Sequence, residues 1–162
     1  MTHNNASRPY MPGYGLLPEK EGRGLFEWEF VEERMLAARN YWLASVRPDG
    51  RAHVTPLWGL WQFGSFFFGT DKRSQKAQNL AVNPSAVVHL ESGDEVVILE
   101  GQVQIENNKK LLKNLASKYQ QKYEVDALRP PAAIYRLRLQ RAFAWLESDF
   151  PSTATRWTFK ED

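Results

Sequence analysis

The alternation of apolar and polar residues predicts three consecutive antiparallel strands in the first half of the chain. Residues alternate from Tyr41 to Val46 and from Ala52 to about Trp61, and three phenylalanines then open a strand that ends at Gly69-Thr70. Such alternation is typical of strands that bury one face. Turn-forming residues separate the three runs, namely Pro48-Asp49-Gly50 and Phe63-Gly64-Ser65. Each pair of neighbouring strands is therefore predicted to form a hairpin.

Four more runs with strand character follow, at residues 86–90, 96–105, 133–146 and 155–159. The first two are rich in β-branched residues and flank the turn Ser92-Gly93-Asp94-Glu95, which predicts another hairpin. The third follows Arg129-Pro130-Pro131, and we expect it to bend near Gln140 to Ala142. Three further segments have apolar residues at helical spacing and predict helices, at residues 28–40, 74–83 and 108–123. The many lysines of the last helix are interpreted as its solvent-exposed side.

Six or seven strands, mostly joined by tight turns and interrupted by short helices, predict a mainly β chain of the α+β type that closes into a small antiparallel barrel. Residues 1–24 are rich in proline and glycine and predict an irregular N-terminal arm, so the barrel domain is assigned to residues 25–162. Tyr10, Tyr14 and Leu16 are the candidates to anchor this arm.

The composition narrows the classes of partner. A formal net charge of +2 over 162 residues lacks the basic excess of a nucleic-acid or membrane-surface binder. The absence of cysteine excludes disulfides, thiolate metal sites and a cysteine nucleophile, and we expect no other metal site. Because the sequence has neither a signal peptide nor a run of about 18 apolar residues, a soluble cytoplasmic protein is expected. Six tryptophans suggest a stacking site or a subunit interface.

Three cations, Lys72, Arg73 and Lys76, lie within five residues of a chain that is otherwise nearly neutral. They follow the strand end at Gly69 and Thr70 and surround Ser74, where the second predicted helix begins. Free backbone N–H groups at a helix start, together with basic side chains, favour a phosphate. In the alternative interpretation, Ser74 only caps the helix and the cations are solvated.

A second candidate region is the strand segment His53 to Trp58. Alternation places His53, Thr55 and Leu57 on one face and Val54, Pro56 and Trp58 on the other. Proline removes a ladder donor and so favours an edge or bulge, where neighbouring backbone groups can bind the polar rim of a planar ring. An ordinary edge strand with an exposed histidine is the alternative. Arg141 and Trp145 could flank the same ring and its polar tail, or serve in a surface salt bridge and in core packing.

Catalytic side chains are not evident in the sequence. None of the three histidines lies in a recognisable motif, so acyl-transfer chemistry is not expected. The carboxylate pairs Glu32-Glu33 and Asp94-Glu95 are interpreted as a helix face and a turn rather than as an acid–base pair.

Four motifs, RPDGRAHVTPLW, FGT, the [RS]xxKxxNL helix start and NPSAVVHLE, occur in this order between residues 41 and 105. In motifs and spacing the chain resembles the pyridoxamine 5'-phosphate oxidase-like flavin-binding split β-barrel family. The resemblance implies a homodimer with two equivalent FMN sites at the interface, the phosphate bound at Ser74 and Lys76 and the ring lying along His53 to Leu57. Many relatives carry arginine where this chain has Gln75, so Arg73 is the expected substitute. Asn79 shares a helix face with Lys76 and is included in the site.

From this resemblance we expect an FMN-dependent oxidoreductase that passes hydride or electrons to or from a small organic substrate. Trp58, or Trp145 of the partner subunit, would form an aromatic wall beside the ring. One alternative is a reductase that uses the deazaflavin coenzyme F-420, whose polyglutamate tail would suit Lys72 and Arg73. Another is a non-catalytic flavin-binding or haem-binding carrier or sensor. Oxidation of vitamin B6 phosphates is disfavoured, because the substrate-binding arginine and histidine motif of that enzyme has no clear match near the C-terminus.

Overall fold

A computed structural model describes residues 5–125 and 132–160. The segment Arg129-Pro130-Pro131, used above to place the start of the long strand, lies outside the described residues. Within them, nine strands and four short helices form a mainly β, open, barrel-like antiparallel sheet, which confirms the predicted fold class. The strands are β1 (Ala6–Ser7), β2 (Tyr41–Val46), β3 (Ala52–Leu57), β4 (Leu60–Gln62), β5 (Ser65–Asp71), β6 (Ser85–His89), β7 (Glu95–Ile105), β8 (Ala132–Leu146) and β9 (Thr155–Thr158). The helices are α1 (Glu29–Ala37), α2 (Gln75–Val82), α3 (Lys109–Tyr123) and α4 (Phe150–Thr153).

The sheet runs in the order β1-β9-β8-β7-β6-β2-β3, and β4 joins it through β5, which pairs with β8. The long strand β8 pairs with β7 along one edge. Its other edge is shared between β5, opposite residues 132–137, and β9, opposite residues 141–144. This division opens the sheet into two parts around β8. One core lies inside the barrel, and a smaller one, built on Leu115, Tyr119 and Tyr123, packs α3 against β4 and β5.

The predicted bend in the last long strand is confirmed and coincides with a β-bulge. The register of β7 against β8 shifts between Glu100 and Gly101, which lie opposite Arg141 and Leu139, so Gln140 is the extra residue. A β-carbon on Gly101 would stand 1.9 Å from the carbonyl oxygen of Arg138. The close approach of the two strands therefore requires glycine at this position.

The single strand predicted from Ala52 to about Trp61 is wrong in one respect, because the chain breaks at Trp58-Gly59 into β3 and β4. A β-carbon on Gly59 would lie 2.2 Å from the Phe66 ring, and the Gly59 N–H donates to the Tyr123 hydroxyl at 3.0 Å. Gly59 thus lets the chain turn tightly against β5. This break and the two-residue strand β1 raise the number of strands from the predicted six or seven to nine.

The N-terminal arm is held by Arg8, by the pairing of β1 with β9 and by backbone hydrogen bonds, and not by Tyr10. The Arg8 guanidinium donates to the carbonyl of Leu17 at 3.0 Å and to that of Ala154 at 2.9 Å. Tyr10, expected to anchor the arm, is 87 % exposed, and Tyr14 makes an edge contact with Phe150 but is also largely exposed. The guanidinium satisfies carbonyls of the arm and of the segment before β9, which fixes the arm on the barrel.

Candidate functional site

The N-terminus of α2 is built by Ser74. Its backbone is extended, and its hydroxyl oxygen accepts a hydrogen bond from the Ala77 N–H at 3.3 Å, as an N-cap does. The same oxygen lies 2.9 Å from the hydroxyl of Thr70 near the end of β5. The cap and the strand end are therefore tied together, and Gly69 and Thr70 lie beside the start of the helix. Capping alone, one of the two alternatives for Ser74, accounts for these contacts without a ligand.

Asn79 fixes α2 on the sheet. Its side chain is fully buried, donates to the Ser45 hydroxyl of β2 at 3.0 Å and accepts from the Gln75 amide at 2.7 Å. Both ends of the Asn79 amide are thus occupied by protein groups. Asn79 therefore orients the helix, and with it Lys76, while its full burial keeps its remaining N–H and lone pair away from solvent.

A cluster of positive charge lies where β3 begins. Burial lowers the pKa of His53, and the nearby charges of Arg47 and Lys76 lower it further. The His53 Nδ1 atom is buried without a hydrogen-bond partner. In the described part of the chain, the side chains of Arg47 and Lys76 form no hydrogen bond or ion pair; Asp49, whose pKa Arg47 helps to lower, is bound by Arg51 instead. These three groups, which we call the cationic pocket, have unused capacity to bind an anion.

Arg47 was missed in the sequence analysis. It follows β2 in the hairpin turn, where its N–H donates to the Arg51 carbonyl at 2.8 Å. The pairing of Val46 with Ala52 places this turn next to His53. The hairpin register is a signal that could have identified Arg47, since it fixes which turn residues flank the start of the second strand.

The other two cations of the basic cluster are arranged differently from Lys76. Arg73 forms a two-point ion pair with Asp71, with Nη2 to Oδ2 at 2.7 Å and Nε to Oδ1 at 3.1 Å. Hydrogen bonds from Arg73 lower the pKa of Asp71 to about 2. Lys72 is exposed. The charge of Arg73 is therefore balanced locally, and Lys76 is the member of the cluster that acts electrostatically on β3.

Strand β3 lies at the end of the strand order and, among the described residues, pairs with β2 alone. His53, Thr55 and Leu57 stand opposite the buried residues Ser45, Leu43 and Tyr41, so they share the face on which α2 packs. Val54 and Pro56 belong to the opposite, outer face, and Val54 is 51 % exposed. The backbone groups along the free edge of β3 are thus open to a ligand, as expected from a proline-containing edge strand.

Mostly apolar side chains, with one histidine among them, form a row across the outer face of the sheet. Cross-strand pairing places five residues side by side, and none of them is fully buried: Pro56, Trp42, His89, Ile98 and Phe143. We call this row the outer apolar row. Its width and composition resemble an interface more than a solvated sheet face.

Arg141 and Trp145 are not brought to β3 within one chain. Both lie on β8, four inter-strand steps from β3, a path of about 19 Å along the curved sheet. Arg141 pairs with Glu100 at 3.2 Å, and the Trp145 ring meets Phe150 edge-on with centroids 5.5 Å apart. The strand order thus separates these two predicted site residues from His53 to Leu57 along the sheet.

Trp58, just after β3, stacks on Tyr123 of α3 with ring centroids 4.7 Å apart and an interplanar angle of 10°. The Tyr119 ring is tilted against both, and we call these three rings the aromatic platform. The Arg39 guanidinium lies 5.5 Å from the ring centroids of Trp58 and of Tyr123. The platform and Arg39 were not predicted as a unit, because they come from three distant segments of the chain.

Lys122 lies beneath this platform. Its ammonium group donates to the Tyr41 hydroxyl at 2.8 Å and to the Gly59 carbonyl at 3.2 Å. Burial, and then repulsion from Arg39, lower the pKa of Lys122 to about 8 from its ordinary value of 10.5. Burial raises the pKa values of Tyr41 and Tyr123, so these hydroxyls stay protonated where Lys122 titrates.

We expect Lys122 to make the free energy of unfolding rise with pH between about 8 and 10.5. In this range the unfolded chain binds a proton at Lys122 that the folded chain has released, so a higher pH favours the folded state. Below about pH 8 Lys122 is protonated in both states, and the free energy of unfolding no longer depends on pH through this residue. The free energy of unfolding would be measured with urea at several pH values from about 7.5 to 9.5. This free energy should rise less steeply with pH in Lys122→Met than in the wild type. Lys113→Met, at an exposed position of α3, is the control, and equal slopes for all three proteins would contradict the expectation.

Comparison with known proteins was consistent with this architecture. The sequence model of the pyridoxamine 5'-phosphate oxidase family matches residues 28–146. A conserved hypothetical protein from Mycobacterium tuberculosis is 24 % identical, with a TM-score of 0.68 and coverage of 75 % of this chain and 85 % of its own. The haem storage protein HutZ from Vibrio cholerae is 16 % identical, with a TM-score of 0.60 and coverage of 70 % and 91 %. An F-420 reductase is 23 % identical, with a TM-score of 0.53 and coverage of 68 % and 94 %.

No curated protein matches the chain by sequence. At these identities the solved structures establish the fold alone. Among the described residues, no group of three histidine, cysteine or carboxylate side chains is arranged to hold a metal ion. In the same residues, no helix is long and apolar enough to cross a membrane.

Proposed function

Since the chain belongs to the pyridoxamine 5'-phosphate oxidase family, we propose that it is an FMN-dependent oxidoreductase acting on a small organic substrate. The observation that carries the proposal is the cationic pocket, in which Lys76, Arg47 and His53 lie together with unused hydrogen-bonding capacity beside an open strand edge. When bound, FMN would supply the hydride-transfer chemistry.

The residues of the cationic pocket fit a phosphate monoester. Such a group carries about two negative charges and several acceptor oxygens. Lys76 can supply a charge-assisted hydrogen bond, Arg47 a second positive charge, and the positive end of α2 adds N–H groups near Ser74. His53 Nδ1 can donate to a phosphate oxygen, which would give this buried atom the partner that it lacks.

The edge of β3 would orient the ring. Starting from the phosphate beside His53, the strand leads through Thr55 toward Leu57, and its unpaired edge offers backbone donors and acceptors to the polar rim of the heterocycle. Pro56 has no backbone N–H to donate, so the ring would be bound by the backbone groups of the neighbouring residues. The balanced charge of Arg73 favours FMN over a cofactor with a longer anionic tail, because it leaves fewer free cations in the basic cluster.

We further propose that two chains pair through the outer apolar row. The row ends at Pro56 on the ring-binding strand, so a second chain seated on it would also cover the open edge of β3. Such a pair could bring the partner subunit's Trp145 and the partner subunit's Arg141 to the ring, across the distance that separates these positions from β3 within one chain. A homodimer with two equivalent sites would result.

Trp42→Glu should therefore produce a monomer that retains no FMN. Light scattering after gel filtration would report the mass, and absorbance near the flavin band would report the cofactor. Leu36→Glu, at an exposed apolar position on α1, is the matched control and should remain a dimer. The proposal of an interface on this row is contradicted if wild-type protein is monomeric with FMN bound, or if folded Trp42→Glu still dimerises.

The cofactor itself is tested by purification from a host that makes no deazaflavin. Copurified or readily reconstituted FMN supports the proposal, whereas uptake of coenzyme F-420 alone would reassign the protein to the deazaflavin-dependent reductases. Oxidation of a nicotinamide donor with a panel of acceptors then separates an enzyme from a carrier. Full occupancy by FMN without turnover would favour a carrier or sensor.

A further inference from the structure

We propose that the aromatic platform and Arg39 form a substrate subsite at the far end of the ring-binding strand, and that this subsite takes a planar conjugated molecule with an anionic group, such as an aryl carboxylate or sulfonate. The inference deepens the proposed function and rests on it, because it presumes that the ring lies along β3. The residues of the subsite are Trp58, Tyr119, Tyr123 and Arg39.

The position of the subsite follows from the direction of β3. The cationic pocket lies at His53, and Trp58 follows the last residue of the strand at its other end. Five residue steps of an extended chain span about 16 Å. A ring anchored by its phosphate at His53 would extend toward Trp58, so a molecule that stacks on Trp58 would lie next to the end of the ring remote from the phosphate.

The platform presents a flat surface. Tyr123 is only 3 % exposed and covers one side of the Trp58 indole, whereas 36 % of Trp58 remains exposed. A planar molecule can stack on the free part of this indole, and a conjugated system would gain the dispersion and quadrupole contacts typical of aromatic pairs. This favours an aromatic or quinonoid substrate over a flexible aliphatic one.

The charge beside the platform is positive. Glu91 and Glu95 line the same surface cavity as Arg39, but Glu95 pairs with Arg34 and neither carboxylate forms an ion pair with Arg39. The Arg39 guanidinium is exposed and has no hydrogen-bond or ion-pair partner in the described part of the chain; it lies beside the rings of Trp58 and Tyr123. Lys122 is close enough for the two cations to repel each other. Glu124 follows Tyr123 in sequence but forms no ion pair with either cation. A guanidinium held beside an exposed ring suits a carboxylate or sulfonate on a stacked molecule.

The subsite is also rigid. The Tyr123 hydroxyl accepts from the Gly59 N–H at 3.0 Å and lies 2.7 Å from the Arg39 carbonyl and 2.8 Å from the Gly59 carbonyl. These contacts join the end of α3 to the break between β3 and β4 and to the segment after α1. Because the stack is fixed before a ligand arrives, little conformational freedom remains to be lost on binding.

The test is a binding measurement with naphthalene-2-sulfonate and its neutral counterpart naphthalene-2-sulfonamide, followed by ¹H–¹⁵N NMR of the full chain loaded with FMN. The indole N–H signal of Trp58 is assigned with Trp58→Phe. The sulfonate should shift this signal saturably and bind roughly fivefold or more tightly than the sulfonamide. Arg39→Gln should remove that preference, and Arg138→Gln, at an exposed arginine on β8, should keep it.

Titration of the same proteins with FMN distinguishes failure of the subsite from failure of the proposed FMN-dependent function. If FMN binds but the sulfonate does not saturate, or if Arg39→Gln keeps the preference, the subsite is overturned and the proposed function stands. If FMN does not bind to the folded wild type, the proposed function fails, and the assignment of a subsite beside a flavin fails with it. The well-dispersed NMR spectrum of each variant provides the check that it is folded.

Discussion

Replacing Lys76 with methionine is expected to weaken FMN binding by about 1.5 to 3 kcal/mol, which corresponds to a roughly 10- to 150-fold rise in Kd. The methionine keeps most of the apolar length of the side chain and removes the charged donor. In the folded protein Lys76 has no protein partner in the described residues, and its charge acts on His53. Loss of the charge should therefore lower the affinity for the ligand without breaking a salt bridge within the protein.

Two further measurements make the Lys76 result interpretable. Lys113→Met removes a lysine from the exposed side of α3 and should change the Kd of FMN by less than about twofold. The midpoint of urea unfolding of the ligand-free Lys76→Met variant should stay close to that of the wild type, since a surface substitution of this kind costs about 0.5 kcal/mol or less. An unchanged Kd in a folded Lys76→Met variant would remove Lys76 from the site.

Gly101→Ala is expected to destabilise the fold by about 3 kcal/mol or more, the largest effect on stability that we predict. The added β-carbon would stand 1.9 Å from the Arg138 carbonyl oxygen and 2.8 Å from its carbonyl carbon. Both belong to the backbone of β8, which cannot move without breaking its pairing with β7 at the bulge. The atoms that clash belong to the backbone, so no side chain can rotate away to relieve the contact.

Urea unfolding followed by tryptophan fluorescence would measure this effect. Gly93→Ala is the matched control, because an added β-carbon there meets no atom within 4 Å and the backbone of Gly93 has no positive φ. Its free energy of unfolding should stay within about 0.5 kcal/mol of the wild-type value. A Gly101→Ala protein as stable as the Gly93→Ala protein would contradict the strand register around the bulge.

The strands and helices that local patterns could predict were those bounded by turn or cap residues. Strand β2, helix α2 and the bend near Gln140 followed from alternation, helical spacing and turn signals. The break at Gly59 was not predictable in this way, because its cause is the approach of Phe66 and of Tyr123, which is 64 residues away. Strand β1 likewise depends on pairing with β9, at the opposite end of the chain.

The residues of the candidate site likewise fall into those that local sequence could predict and those that depend on strand pairing. Ser74 and Lys76 could be singled out from sequence because a cap and a helix start are local features. The contribution of Arg47 depends on the hairpin register, and the separation of Arg141 from β3 depends on the strand order of the whole sheet. The pairing of Arg73 with Asp71 is local, and the sequence Asp-x-Arg could have suggested it.

The central claim is that the cationic pocket binds a phosphate and thereby places a flavin ring along β3. Calorimetric titration of the purified dimer or monomer with FMN and with riboflavin tests it most directly, since the two ligands differ only in the phosphate. We predict saturable binding of one FMN per chain, with riboflavin weaker by roughly tenfold or more. Equal affinity for the two ligands, or no saturable binding of FMN by the folded protein, would contradict the account.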